Sequence, residues 1–351
     1  MTSKTSQGNF FEDFRIGQEI RHATPRTITG GDVALYNGLY GPRFAPQSSD
    51  EFARAMGYRA APVDDLLVFH MVFGKTVPDV SLNAVANLGY AGGVFGVPVY
   101  PGDTVSTTSI VTGLKENSNG KTGVVYVNST GRNQRGEVVI DYSRWVMVRK
   151  RDETRPAHDE TVLPELAHGV APDALHVPVG LDLSSYDFDL AGAPHRWGDY
   201  QVGEKIDHVD GMTIEEAEHQ MATRLYQNTA RVHFDQVAAA QGRFGKRLIY
   251  GGHIISLARA LSFNGLANGF RIAAINGGTH ANPTFAGDTI FAWSEVLDKY
   301  EIAGRHDVGA LRLRLVALRD RQGRDFPLRD AEGKYDSAVL LDFDYTLLIP
   351  R

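Results

Sequence analysis

The chain of 351 residues is 42% hydrophobic and 22% charged and has a formal net charge of −6, a composition typical of a globular protein. At about 150 residues per domain, this length allows two compact units. The absence of cysteine excludes disulfides, thiolate nucleophiles and Cys-ligated metals. The sequence has no Lys/Arg-rich block, no secretory signal and no apolar run of about 18 residues. We therefore expect a cytoplasmic protein that binds neither nucleic acid nor a membrane.

The chain contains one sequence pattern twice. The segment "FEDFRIGQEIRHATPRTIT" from Phe11 matches "WGDYQVGEKIDHVDGMTIE" from Trp197 at an offset of 186 residues. Further on, "PVYPGDTV" from Pro98 matches "PTFAGDTI" from Pro283 at an offset of 185 residues. A nearly constant offset over two separated blocks indicates a duplication. We therefore predict an N-terminal half over residues 1–150, a Pro-rich extended connector over 151–195 and a C-terminal half over 196–351.

Each half shows the same order of predicted elements. A turn-rich start leads to a helix, then to a short Ala-rich helix and then to a longer apolar helix. In chain order these segments are 31–41, 49–57 and 66–77 in the first half and 214–228, 235–242 and 253–267 in the second. Strands close each half, as a hairpin around 134–136 and as an alternating segment over 309–323. A buried helix followed by antiparallel strands predicts the α+β class.

The duplication, the order of elements and the two Gly-Asp-Thr strands resemble the MaoC-like hot dog hydratase family. The resemblance implies a double hot dog, in which each half wraps an antiparallel sheet around one long helix. The segments "RLYQNTARVHFDQ", "LIYGGHIISLARALSFNGL" and "GYAGGVFGVPVYPGDTV" resemble one branch of this family from about Phe11 to the C-terminus. That branch acts on mesaconyl-CoA, so the resemblance implies reversible addition of water to give β-methylmalyl-CoA.

The catalytic signature of the family is only partly present. It runs Gly-Asp-x-Asn-Pro-hydrophobic-His, with Asp and His as the catalytic pair, and continues with Ala-His-Gly-Met at the start of the long helix. The family His falls on His233, but the family Asp falls on Asn228. The first half has Gln47 and Pro42 at the corresponding positions. The resemblance therefore implies one active site per chain, in the second half.

Hydration of an enoyl thioester requires proton transfer and a positioned water molecule. A histidine with an ordinary pKa near about 6.5 suits proton transfer at neutral pH, so we expect His233 to deprotonate water and to return a proton to the α-carbon. An amide cannot take up a proton in this range, but it can hold water, which is the role that we expect for Asn228. A competing hypothesis is that Asp64 or Asp65, near the family's His-Gly position in the first half, replaces the missing acid.

Two further binding roles follow from the same chemistry. Backbone N–H groups at a helix N-terminus stabilise negative charge, so Gly252, with Gly251 beside it, is expected to bind the thioester oxygen. Mesaconyl-CoA also has a free carboxylate, and Arg231 stands two residues before the motif histidine, where the family usually has proline. We expect its guanidinium to pair with that carboxylate.

Other functions remain open from the sequence. They are hydration of an (R)-specific enoyl-CoA of another chain length, thioester hydrolysis by a hot dog thioesterase, and acyl-CoA binding without catalysis. We expect an acyl-CoA substrate, no separate cofactor, no metal site and a homo-oligomer. His22 and His208 match each other across the repeat and are expected to be structural, because both halves keep them.

Overall fold

The computed structural model describes residues 4–154, 156–158 and 160–351. The strands of the first half are β1 (Glu19–Thr27), β2 (Ala84–Phe95), β3 (Thr104–Glu116), β4 (Thr122–Arg132) and β5 (Val138–Arg149). Those of the second half are β6 (Lys205–Thr213), β7 (Arg271–His280), β8 (Thr289–Glu301), β9 (Val308–Arg319) and β10 (Val339–Pro350). They form one sheet in the order β1-β3-β4-β5-β2-β7-β10-β9-β8-β6, so the two halves meet where β2 pairs with β7.

Helices lie mainly between the strands of each half. The first half contains α1 (Gly30–Tyr40), α2 (Ala45–Ser48), α3 (Asp50–Ala55) and α4 (Asp65–Thr76), and the connector contains α5 (Phe188–Ala191). The second half contains α6 (Glu216–Leu225), α7 (Arg231–Phe234), α8 (Gln236–Ala240), α9 (Gly251–Leu261) and α10 (Phe263–Leu266). The predicted α+β class is confirmed.

The long helices α4 and α9 form the centre of the core. Helix α4 packs on β1, β3 and β5, and α9 packs on β6, β8, β9 and β10. One hydrophobic cluster includes Leu66 and Phe69 of α4, Ile255 of α9 and Leu313 of β9, so the core is continuous across the two halves. None of the helices in the described ranges has both the length and the apolar character that a membrane crossing requires.

The predicted path from the turn-rich start directly into a helix is wrong, because β1 and β6 lie in between. Strand β1 contains Pro25, and its register with β3 shifts between His22 and Arg26, so its sequence lacks a regular alternation. Proline is tolerated there because β1 lies at the edge of the sheet. Among the predicted helices, the segment 214–228 is helical only to Leu225, since Gln227 adopts a positive φ of 53°.

The Gly-rich segment "GYAGGVFG" forms most of β2, for which the sequence predicts no strand. Glycine is required by close approaches across the strands. A Cβ atom at Gly96 would lie 2.0 Å from the carbonyl oxygen of Val138, and one at Gly89 would lie 2.4 Å from the Trp145 ring. Glycine has a low strand propensity, so the sequence does not indicate a strand here. It is needed at these positions because a side chain would collide with the neighbouring strand.

The segment predicted as an extended connector is mostly irregular in the structure and packs on the body of the protein. Its Val162 forms an isolated bridge with Leu114 of β3. Buried connector residues join Phe52 and Tyr58 in a second hydrophobic cluster; they are Val170, Leu175, Leu181, Leu183, Tyr186 and Ala191. The connector therefore contributes to the core.

Candidate active site

Repeat-related residues meet where the two halves join. Tyr40 and Tyr226 stand 186 positions apart, and the Tyr226 hydroxyl donates to the Tyr40 hydroxyl at 2.8 Å. The last turn of α4 lies beside the first turn of α9, with the rings of Phe73 and Tyr250 5.9 Å apart. A Cβ atom at Gly74 would lie 1.9 Å from the Tyr226 carbonyl oxygen, so only glycine allows this approach. The seam thus brings first-half residues to the N-terminus of α9.

His233 lies on the short helix α7 with one ring nitrogen held by the backbone. Its Nδ1 is 2.8 Å from the Leu248 carbonyl oxygen, which can only accept, so Nδ1 carries the proton and Nε2 keeps a lone pair. Burial lowers the pKa of His233 to about 4, and the hydrogen bond to Leu248 acts in the opposite direction. The imidazole is therefore neutral at pH 7 and can take up a proton through Nε2.

The N-terminus of α9 carries free backbone donors. Tyr250 occupies the N-cap position without a side-chain cap, and the N–H groups of Gly251 and Gly252 find no acceptor among the described residues. A Cβ atom at Gly251 would lie 2.3 Å from the His280 ring, and one at Gly252 would lie 2.3 Å from the Tyr250 ring. Both glycines are needed for packing. Gly251 is partly exposed and Gly252 is buried, and their N–H groups lie at the positive end of a helix.

The equivalent helix of the first half, α4, is capped at its N-terminus by a carboxylate. Asp64, 186 positions before Tyr250, accepts from the Leu66 N–H at 2.8 Å and caps α4. Asp65 accepts from the Ile272 N–H at 2.9 Å. Burial raises the pKa of both carboxyls, that of Asp65 to about 6. These contacts give both carboxylates structural partners at the N-terminus of α4, which argues against the hypothesis that either replaces the missing acid.

Asn228 is buried just before α7. Its Oδ1 accepts from the Ala230 N–H at 3.0 Å, and its own N–H donates to the Thr223 carbonyl oxygen at 3.0 Å. The Nδ2 group has no acceptor in the described part of the chain. With one hydrogen bond of the carbonyl already made to the backbone, the Nδ2 group is the part of this amide that can donate to a water molecule.

Arg231 begins α7 and is exposed. Within the described ranges its side chain makes no hydrogen bond or ion pair, so its predicted pairing with the substrate carboxylate stays a prediction. His22 and His208 have the expected structural character. His22 bridges Asp79 and Ser109, whereas His208 bridges the Asn264 carbonyl and Ser294.

Sequence reasoning missed His280, which lies at the end of β7 and is partly exposed. Its Nε2 is 3.3 Å from the Tyr90 hydroxyl of β2. Burial lowers its pKa to about 4, and the nearby imidazole of His233 acts in the same direction. The repeat offset of 185 pairs His280 with Phe95, so a histidine is present in one half only, and that signal could have found it.

A buried polar network supports the same helix end. The Tyr250 N–H donates to His219 Nε2 at 2.8 Å, and His253 Nδ1 is 2.9 Å from the Tyr40 hydroxyl. His70 of α4 is 3.1 Å from the Ser256 hydroxyl of α9. Burial lowers the pKa of these three histidines, to about 2 for His219 and about 3 for the other two. They are neutral hydrogen-bonding groups that hold Tyr250 and the two helices in place.

The candidate site contains partly exposed and buried residues. We call the partly exposed His233, Gly251 and His280 its mouth, and the buried Tyr90 and Tyr250 its floor. In the described part of the chain, no group of three His, Asp or Glu side chains is arranged to hold a metal ion. The arrangement can polarise a carbonyl and transfer a proton beside it.

The family model described as mesaconyl-CoA hydratase matches residues 2–328 of the chain. The chain belongs to the mesaconyl-CoA hydratase family. It is 66% identical to the β-methylmalyl-CoA dehydratase of Chloroflexus aurantiacus, covering 100% of this chain and 99% of that protein. It is 63% identical to the mesaconyl-CoA hydratase of Cereibacter sphaeroides, covering 99% of this chain and 100% of that protein.

Solved structures confirm the predicted fold of this mesaconyl-CoA hydratase family member. A MaoC domain protein dehydratase from Chloroflexus aurantiacus superposes with a TM-score of 0.97 at 66% identity, covering 100% of this chain and 99% of that one. A Mycobacterium tuberculosis protein with a double hot dog fold superposes with a TM-score of 0.76 at 23% identity, covering 98% and 99% of the two chains. At that identity the second likeness shows the fold alone. The predicted MaoC-like double hot dog and the predicted hydratase family are both confirmed.

Proposed function

We propose that this protein catalyses the reversible hydration of mesaconyl-CoA to β-methylmalyl-CoA. Family membership and the two relatives named for this substrate and product support the proposal. The structural observation that carries it is the pair of N–H groups at the start of α9 that have no acceptor among the described residues, beside the neutral imidazole of His233. An enoyl thioester needs both a site for negative charge and a base, and the second half supplies them together.

In the forward reaction the thioester oxygen accepts hydrogen bonds from the Gly252 and Gly251 N–H groups. His233 Nε2 removes a proton from water as the water oxygen bonds to the β-carbon. The electron pair of the double bond moves towards the α-carbon and the thioester oxygen, where the helix N-terminus stabilises it. The imidazolium then returns a proton to the α-carbon, so the overall change is addition of H and OH and no proton is lost.

The Asn228 amide holds the attacking water. Its Nδ2–H group donates to the water oxygen, which leaves the water protons directed towards an acceptor such as His233 Nε2. A carboxylate at this position could itself remove a proton, whereas the amide cannot. His233 therefore carries the whole proton transfer, and its depressed pKa keeps it in the basic form at neutral pH.

The decisive experiment mixes the purified protein separately with mesaconyl-CoA and with crotonyl-CoA and follows loss of the enoyl absorbance. We expect rapid loss with mesaconyl-CoA. Faster turnover of crotonyl-CoA would indicate an (R)-specific hydratase of another chain length. Release of free CoA would identify a thioesterase, and no change with either substrate would identify a binding protein. A cytoplasmic location and a homo-oligomeric state stay predictions, the second of which sedimentation velocity would test.

A further inference from the structure

Arg144 is a buried cation without a carboxylate partner in the described part of the chain. It is 1% exposed. Its Nη2 donates to the hydroxyls of Thr76 at 2.7 Å and of Ser81 at 3.3 Å, while Nε and Nη1 have no hydrogen-bond acceptor. A buried charge that lacks an anion is costly to the fold, so its presence calls for an explanation.

This arginine lies under the floor of the candidate site. It lies on β5 directly opposite Tyr90 of β2, and its guanidinium is 4.2 Å from the centre of the Phe73 ring. Phe73 in turn contacts the rings of Tyr250 and Tyr90 at 5.9 Å and 6.1 Å. Burial lowers the pKa of Arg144, and only Tyr142, Tyr90 and Tyr250 act in the opposite direction. The groups around the cation are thus phenols, hydroxyls and one phenyl ring, and two of the phenols, Tyr90 and Tyr250, belong to the floor.

The same electrostatic problem is solved differently at the N-terminus of α4. The buried cation that interacts with that end is Arg259 of α9, which donates to the Ser262 hydroxyl and to the Gly269 carbonyl. Burial lowers the pKa of Arg259, while Tyr345, Asp64 and Asp65 act in the opposite direction. There the protein itself supplies negative charge, from two carboxylates at the N-terminus of α4.

At the N-terminus of α9 the same two positions are Tyr250 and Gly251. Neither can be an anion at neutral pH, since burial raises the pKa of Tyr250 well above its usual range. The site with His233 therefore combines an open helix N-terminus with a buried cation whose partner is missing. A ligand with one carboxylate beside its thioester would supply that partner.

We propose that Arg144 binds the free carboxylate of the acyl group and thereby selects dicarboxylic enoyl-CoA thioesters over monocarboxylic ones. The inference deepens the proposed function and rests on it. The acyl group enters between His233 and His280, its thioester oxygen binds the Gly252 N–H, and the carboxylate on the β-carbon points to the floor. Nε and Nη1 then gain charge-assisted hydrogen bonds in a dry environment. Selectivity follows because a methyl group in place of the carboxylate leaves the guanidinium unpaired.

The test uses two saturated thioesters that cannot be hydrated. Methylsuccinyl-CoA and 2-methylbutyryl-CoA have similar acyl shapes and differ in a carboxylate against a methyl group. We expect the wild type to bind the first about 10- to 100-fold more tightly by isothermal titration calorimetry, the range for hydrogen bonds to a charged group. Arg144→Met should reduce that ratio to about 1, and Arg144→Lys, which keeps the charge and loses the planar donor pair, should retain part of it.

Arg259→Met is the matched control, because it removes the other buried arginine between helix and sheet. It should keep the wild-type preference. The melting temperature gives a second readout. Arg144→Met should melt at the same temperature as the wild type or higher, since it removes an unpaired buried charge. Arg259→Met should melt at a lower temperature than the wild type. A lower melting temperature of Arg144→Met together with equal weakening of both ligands would make Arg144 structural and overturn the proposal. If Arg144→Met is insoluble, Arg144→Lys decides, and an unchanged ratio in it would also overturn the proposal.

The remaining outcomes separate this proposal from the proposed function. A wild type that prefers methylsuccinyl-CoA but does not hydrate mesaconyl-CoA would refute the proposed reaction and leave the carboxylate site standing. A wild type that hydrates mesaconyl-CoA, with Arg144→Met keeping the ligand preference, would refute the carboxylate site alone. Loss of the preference in Arg231→Ala with no loss in Arg144→Met would assign the carboxylate to the exposed arginine instead.

Discussion

His233 is a histidine in one copy of the repeat only, as His280 is, and its ring is oriented by a backbone hydrogen bond. The Leu248 carbonyl fixes the proton on Nδ1, and burial keeps the imidazole neutral. Both effects make Nε2 the reactive nitrogen. The sequence pointed to the residue, whereas the tautomer depends on a carbonyl that lies 15 positions away in the chain.

We expect His233→Gln to lower kcat by about 10²- to 10⁴-fold, the usual contribution of a positioned general base. Glutamine can keep a donor near the Leu248 carbonyl but has no basic nitrogen. Steady-state kinetics on mesaconyl-CoA measures the loss, and binding of methylsuccinyl-CoA serves as the control, since it should change little. A variant that retains full turnover would remove His233 from the mechanism.

Asn228 stands where the family has its catalytic acid, so its substitution tests whether the amide has a role in catalysis. Asn228→Ala removes the group that donates to water, so we expect a loss of kcat of about tenfold or more. It also removes the acceptor for the Ala230 N–H, so we expect the free energy of unfolding to fall by about 1 kcal/mol. Asn228→Asp keeps the acceptor and should retain most of that stability. Kinetics and urea unfolding of the two variants separate the effects, and full turnover in Asn228→Ala would show that the amide has no catalytic role.

At the scale of elements, the two long helices differ most at their first turns. Helix α4 is capped by Asp64, while α9 begins at two glycines with no side-chain cap. The N–H groups of Gly251 and Gly252 thus have no acceptor among the described residues, whereas in α4 the Leu66 N–H, the counterpart of that of Gly252, donates to Asp64. The long helix is thus present in both halves, but only α9 begins without a side-chain cap.

We expect Gly251→Ala to reduce kcat/KM by about tenfold or more, because the new methyl group would meet the His280 ring at 2.3 Å and displace either the ring or the helix start. The matched control is Gly30→Ala at the start of α1, where a Cβ atom meets nothing within 4 Å. That variant should keep wild-type kinetics. Equal activity of both variants would show that the close contact at α9 has no bearing on catalysis.

The edge and seam strands show where local patterns fail. Strand β1 was hidden by Pro25 and a shift in register, and β2 by its glycines. In contrast, the hairpin of β4 and β5 and the alternating β9 were predicted, since their side chains alternate between the core and the opposite face of the sheet. Strands are predictable from the sequence where burial alternates along the strand. They are not predictable where contacts with distant strands determine which residue type fits.

At the scale of the whole molecule, one sheet and one core join the halves, and neutral histidines lie both at the junction and on the outer strand β6. Six histidines have a pKa lowered by burial to between about 2 and about 4: His70, His208, His219, His233, His253 and His280. In the unfolded chain each would titrate near about 6.5. The unfolded state therefore binds protons that the folded state does not bind.

We expect the free energy of unfolding to be highest above about pH 6.5 and to fall as the pH drops towards 4. The sign follows from linkage, because stability rises with pH wherever the unfolded state binds more protons. Each such histidine contributes up to about 1.4 kcal/mol per pH unit in this window. Urea unfolding at pH 7.5, 6.0 and 5.0 measures the slope, and a flat dependence between pH 7.5 and 5.0 would contradict burial of neutral imidazoles.

The sequence alone determined the duplication, the α+β class, the hot dog resemblance and the distinction of His233, because these depend on periodicity and on comparing one copy with the other. Only the tertiary structure decided that Asp64 caps a helix, that His280 faces the site and that Arg144 has no carboxylate partner among the described residues. A buried charge is stabilised by the groups that lie near it in space, and around Arg144 these come from β2, α4 and the start of α9. Because these segments are far apart in the chain, no local sequence pattern predicts which charged groups surround Arg144.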